Sequence, residues 1–116
     1  MEQHRAQALV RAERDRVQKL LDEVAHAEAD DLTGADQPED FGDQAQRLTA
    51  QATDHQIAAD LRERLAALDR AQARIEAGTY GYSVRSGEAI PDGRLEADPA
   101  AELTVEEARE SETRRD

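Results

Sequence analysis

The chain has 116 residues, a length that suits one domain, and is 38% hydrophobic but only 3% aromatic, with no Trp and one Phe; this excludes a large globular core and favours long helices packed along a narrow seam. With 27 acidic against 15 basic residues the formal net charge is −12, a sign that repels phosphate, excludes direct sequence-specific DNA binding and favours partners with basic surfaces. Cysteine is absent, which excludes disulfides and thiolate metal sites, and the lack of an apolar run of roughly 20 residues or of a leader-like Met1–Arg5 start predicts a soluble, cytoplasmic protein without membrane contact.

Residues from about 3 to 29 read as a first helix. Val10, Val17 and Val24 recur every seventh residue, with Ala6, Leu20 and Ala27 at the companion positions and Glu13 as the misfit, the pattern of a heptad seam. Residues 30 to 42 hold Gly34, Pro38 and Gly42 among several acids, and their composition predicts a loop. A second helix is expected from about Asp43 to Ala77. Leu61, Leu68 and Ile75 are spaced by seven, Ile57 and Leu65 are placed on the same side, and Leu48 sits in a weaker first half. Gly78 is the expected stop. Two heptad helices joined by a short loop predict an antiparallel hairpin over 1–77.

From Gly78 to Leu103 the character changes. Gly81, Gly87, Gly93, Pro91 and Pro99 break up the apolar residues Tyr80, Tyr82, Val84, Ile90 and Leu95. Ile90-Pro91-Asp92-Gly93-Arg94 carries a turn signal, and a small knob of short strands or turns is expected. Thr104-Val105-Glu106-Glu107 matches a capping box, so a short helix should run to about Glu112. Residues 78–116 thus form a second region behind the hairpin.

Two stretches of this region carry a resemblance. The first is Gly78-Thr79-Tyr80-Gly81-Tyr82-Ser83-Val84-Arg85-Ser86-Gly87-Glu88-Ala89-Ile90; the second is Arg94-Leu95-Glu96-Ala97-Asp98-Pro99, followed by Thr104-Val105-Glu106-Glu107. They resemble the zinc finger of the DksA/TraR transcription regulators, which reads G-x-Y-G-x-C-x-x-C-G-x-x-I, then R-L-x-A-x-P, then a second C-x-x-C. Nine framework residues match in register: Gly78, Tyr80, Gly81, Gly87, Ile90, Arg94, Leu95, Ala97 and Pro99. The resemblance implies a mainly α fold, a helical hairpin with a finger-like knob. It also places zinc ligands at Ser83, Ser86, Thr104 and Glu107, and three hydroxyls with one carboxylate do not make a structural zinc site. The expectation is a knob without metal or other cofactor. A structural zinc contributes on the order of 10 kcal/mol and a helix cap about 1. Burial of Tyr80, Ile90, Leu95, Leu103 and Val105 must therefore carry most of the replacement, at roughly 2 kcal/mol each. The two cysteine pairs are expected to have become a turn, closed by the serine hydroxyls, and a helix cap.

The family's hairpin bend carries D-x-x-D-x-A and enters the secondary channel of RNA polymerase. Asp40, Asp43 and Ala45 match it between the predicted helices, which by resemblance makes them the partner-binding tip and RNA polymerase the partner. The same acids also read as solvated caps of the second helix. Basic residues of the family's knob help hold ppGpp at the polymerase. Here Arg94 is retained, but Asp98 replaces an arginine, which speaks against ppGpp and leaves Arg94 as a structural ion-pair partner. His4, His26 and His55 lack metal-ligand spacing, and the many acid pairs read as solvated faces, so no enzymatic activity is expected. The other reading left open is an acidic coiled-coil adaptor that keeps the fold and binds a different protein.

Overall fold

The computed structural model describes residues 1–33 and 41–114, with all their side chains except those of 28–33, 41, 43 and 114. Four helices follow in order: α1 (Gln3–Thr33), α2 (Phe41–Ala77), α3 (Asp92–Ala97) and α4 (Val105–Arg114). The long pair, α1 and α2, packs as the antiparallel hairpin that the heptads predict. Among the described residues there is no strand, only an isolated antiparallel bridge between Tyr82 and Ala89.

Both long helices run further than composition suggests. Residues 30–33 continue α1, and Phe41 and Gly42 open α2, so Asp43 and Ala45 belong to the helix and not to a loop. First-turn N–H groups have no partner four residues back, so glycine sacrifices little there, and acids favour that end of the helix dipole.

The chain divides into two compact units, Met1–Arg14 with Ala66–Asp116, and Asp15–Leu65. In the first, Ala6 and Val10 of α1 meet Leu68, Ala71 and Ile75 of α2 in a core completed by Tyr80, Ile90, Leu95, Ala100 and Ala101. Arg14 Nε donates to Asp69 Oδ1 at 2.9 Å, tying the two helices together. Arg5 pairs with Glu96, and Arg70 Nε with Glu102 Oε1 at 2.9 Å, tying each helix to the knob. These pairs are exposed enough to contribute at most about 1 kcal/mol each; the buried side chains carry the stability, at about 1.5–3 kcal/mol for a residue such as Leu68 or Leu95.

In the second unit only Val17 and Ala58 are buried among the hydrophobic residues described. The expected seam is corrected at three points. Leu20 is 36% exposed and Ile57 41%, while Leu48, at 66%, faces solvent. The helical repeat explains this. Leu21 lies about 40° round from Val17 and Leu20 about 60° the other way, and Leu21 is half-buried. Ile57 lies about 80° from Leu65, whereas Ala58 lies within about 20° of it, so the seam passes through Ala58.

α2 ends in a Schellman motif. Gly78, at φ 77°, supplies the left-handed residue that others adopt only with strain. Its N–H donates to Ile75 O at 3.2 Å, and that of Thr79 to Arg74 O at 2.9 Å. The expected turn at Pro91-Asp92-Gly93 is instead the start of α3. Pro91, at φ −58°, precedes the helix. Its carbonyl accepts from the N–H groups of Arg94 at 3.0 Å and Leu95 at 3.2 Å, and full burial of Leu95 fixes the short helix in place.

The seam predicts a sharp contrast within α2. Leu68→Ala should reduce unfolding free energy by about 2–5 kcal/mol and Leu48→Ala by less than about 0.5 kcal/mol. Equal losses in urea titrations would contradict this placement.

Candidate functional site

The knob brings together the four positions that the resemblance assigns to zinc ligands. Ser83 sits in a tight turn after Tyr82. Its N–H donates to Glu88 O at 2.8 Å, and its carbonyl accepts from Gly87 N–H at 2.9 Å. Gly87 closes that turn at φ 77°. The Ser83 hydroxyl oxygen accepts the N–H groups of Arg85 and Ser86, both at 3.1 Å, and Ser86 Oγ accepts Glu88 N–H at 3.2 Å. At the other end, Thr104 and Glu107 form a reciprocal capping box on α4. Thr104 N–H donates to Glu107 Oε1 at 3.0 Å, and Glu107 N–H donates to Thr104 Oγ1 at 3.3 Å.

One bond joins these halves: the Ser83 hydroxyl donates to Glu107 Oε2 at 2.9 Å. Ser83, Thr104 and Glu107 are all buried, so the two turns are held together by a carboxylate with both oxygens engaged. The Thr104 N–H, then the hydroxyls of Ser83, Thr104 and Ser86, outweigh desolvation and lower the Glu107 carboxyl to about 2 from the ordinary 4.5. The zinc that the resemblance implies finds no matching donor set here. Three hydroxyls and one carboxylate, engaged with one another and with the backbone, do not supply the thiolate or imidazole ligands of a structural site. Among the described residues no group of three or more His, Cys, Asp or Glu is placed to hold a metal.

The framework residues tie the rest of the knob together. Tyr80 is buried, and its hydroxyl donates to Pro99 O at 2.8 Å; burial pushes the phenol above its ordinary pKa, against the opposing pull of Arg74, and keeps it a donor. Gly81 O accepts Ile90 N–H at 2.7 Å. Ile90, Leu95 and Pro99 are buried, whereas Ala97, the last residue of α3, is exposed. Arg94 departs from expectation: its Nε donates to the Leu103 carbonyl at 2.8 Å, a backbone tie where a carboxylate pair was expected. The apolar cluster also differs. Leu103 and Val105 are only half-buried, and Ala100 and Ala101 take the inner places. Tyr82 and Val84, apolar residues of the same segment, are 52% and 58% exposed.

Glu102 was not singled out from sequence, and Asp98 was noted only as the replacement of an arginine. Glu102 takes Arg70 at 2.9 Å and Arg74 at 3.6 Å, and its carbonyl accepts Val84 N–H at 2.9 Å; two arginines four apart on one helix face were the available signal. Asp98 Oδ1 accepts Ala100 N–H at 3.1 Å, an Asx turn legible in Asp98-Pro99-Ala100. Of the tip residues, Asp40 lies outside the described residues, Asp43 stands in the first turn of α2, and Ala45 is exposed one residue pair further on.

Because the Glu107 carboxyl is lowered in the folded state, its contribution is complete above the ordinary carboxylate pKa near 4.5 and is lost as pH falls toward 2. Glu107→Gln should melt below the parent at pH 7, and the gap should close as pH approaches 2. A gap that stays constant in thermal melts across that range would show that the carboxylate charge is irrelevant.

No family model matches the chain. Among curated proteins, the RNA polymerase-binding transcription factor DksA of Caulobacter vibrioides is 38% identical over 77 residues, which are 66% of this chain and 54% of that protein. General stress protein 16O of Bacillus subtilis is 38% identical over 66 residues, 57% of this chain and 40% of its own length. The chain thus spans about half the length of the curated relatives it matches. Transcription factor DksA2 of Pseudomonas aeruginosa has a similar structure, with a TM-score of 0.82 and 25% identity, covering 97% of this chain and 84% of that one. The fold likeness to that structure over nearly the whole chain and the sequence likeness to these relatives support membership of the DksA/TraR family, with the four ligand cysteines replaced here.

Proposed function

We propose that this chain is a transcription regulator that binds RNA polymerase through the secondary channel, without zinc and without sequence-specific DNA contacts. The observation that carries this reading is the shared fold, which extends over 97% of the chain in the likeness to a transcription factor. A relative named for polymerase binding is 38% identical over 66% of the chain. The acidic balance of the chain suits a cleft lined by basic groups and metal, where carboxylates gain and phosphate-bearing duplexes do not. In this reading Asp40 and Asp43 act on the polymerase, and the knob holds the roots of the hairpin together. A ppGpp response is not part of it: Asp98 places a carboxylate where the family has an arginine, and a carboxylate repels phosphates.

Purified chain and core RNA polymerase should associate at micromolar concentration or below. Asp40→Asn with Asp43→Asn should weaken that association by about tenfold, a loss of about 1.4 kcal/mol. Absence of any association would leave the acidic adaptor with another protein partner as the better reading.

Zinc independence rests on the Glu107 quartet. Incubation with a chelator should leave the melting temperature unchanged, and purified protein should hold no stoichiometric zinc by elemental analysis. A large drop in melting temperature would refute it.

A further inference from the structure

A cavity of about 480 Å³ opens in the unit that contains the knob, between the start of α1, the end of α2 and the 78–92 segment. Its volume lies within the range of ligand pockets. The inner wall includes Ala6, Ile75 and Ile90, all buried. The mouth is bordered by exposed groups: Glu76, Asp92 and the Tyr82 ring, which is 52% exposed. Tyr82 is an aromatic at the surface of the knob, where its backbone bridges to Ala89. The two carboxylates are not equivalent. Asp92 has the Met1 ammonium at 3.5 Å. Glu76 receives only a 3.4 Å bond from the Gln72 amide, and among the described residues no cation pairs with it.

We propose that this cavity receives an arginine side chain of a partner protein. The apolar inner wall suits the aliphatic stem. A planar guanidinium can stack on the Tyr82 ring while its N–H groups reach the Glu76 carboxylate, a combination that a lysine ammonium matches poorly. The exposed mouth leaves part of any occupant outside, which fits a side chain carried on a partner's backbone better than an engulfed small molecule. The overall charge of −12 draws basic segments to this surface. The proposal draws on neither Asp40 nor Asp43 and holds whether or not the polymerase reading does.

The test is a titration of the isotope-labelled full chain with acetyl-arginine amide, followed by amide chemical shifts. Saturable millimolar binding centred on Gly78, Tyr82 and Ala89 is expected, with acetyl-citrulline amide, of the same shape but uncharged, giving none. Glu76→Gln and Tyr82→Ala should each weaken binding by about threefold to tenfold, and Glu63→Gln, on an exposed stretch of α2, should not. Both altered residues are exposed, so circular dichroism should show the fold intact. Equal binding of the citrulline probe, shifts spread over acidic residues throughout the chain, or unchanged affinity in Glu76→Gln would overturn the proposal. Tighter binding of spermidine at the same amides would overturn the protein partner in favour of a small polyamine.

Discussion

Two turns some twenty residues apart must be held against each other for the knob to close, and the Glu107 carboxylate spans them. Its Oε1 takes the Thr104 N–H within the cap of α4, and its Oε2 takes the Ser83 hydroxyl from the opposite turn. A thiolate cluster does this by radiating four bonds from one cation. Here the centre is an anion, and everything that points at it is a donor. The sign of the centre has been inverted while the connectivity between the two turns is kept. Ser83 accepts two N–H groups and donates its proton to Glu107, so its hydrogen-bonding capacity is used, as burial requires.

Such a centre depends on its surroundings more than a metal does. A zinc cluster stabilises a small finger outright, whereas a hydrogen-bonded carboxylate orients pieces that packing has already brought together. Leu95, Ile90 and Tyr80 supply that packing, and the last two turns of α2 with Ala6 and Val10 of α1 supply the surface it closes on. This accounts for the division of the chain, in which the roots of both helices go with the knob. The Asp15–Leu65 unit has fewer large side chains to bury, and stretches with few buried apolar contacts open locally more readily than a filled core.

How much of this was legible follows from where the information is local. The heptads of α1 and α2, the Gly78 stop and the Thr104–Glu107 cap are each written within one or two helical turns, and each is found in the molecule. The nine framework positions were legible as a set because their spacing is specific. The bond from Ser83 to Glu107 was not, because it joins residues 24 apart in sequence and depends on how α3 returns the chain. α3 itself was masked by Pro91-Asp92-Gly93, which suits a turn and the first turn of a helix equally well. Ile57 and Leu20 were misplaced because a two-helix seam is only one side chain wide, so an error of one residue moves a group from inside to solvent. Tyr82 is exposed although aromatic, because hydrophobicity predicts burial only on average.

The quartet also fixes how the knob meets oxidants. Thiolates that hold zinc are the forms of cysteine most open to peroxide and disulfide exchange, and their oxidation releases the metal. The oxygens of Ser83, Thr104 and Glu107 have no corresponding chemistry, and the sequence contains no cysteine and a single methionine. The closure between the two turns is therefore indifferent to the redox poise of its surroundings, a property that follows from replacing sulfur with oxygen at four positions.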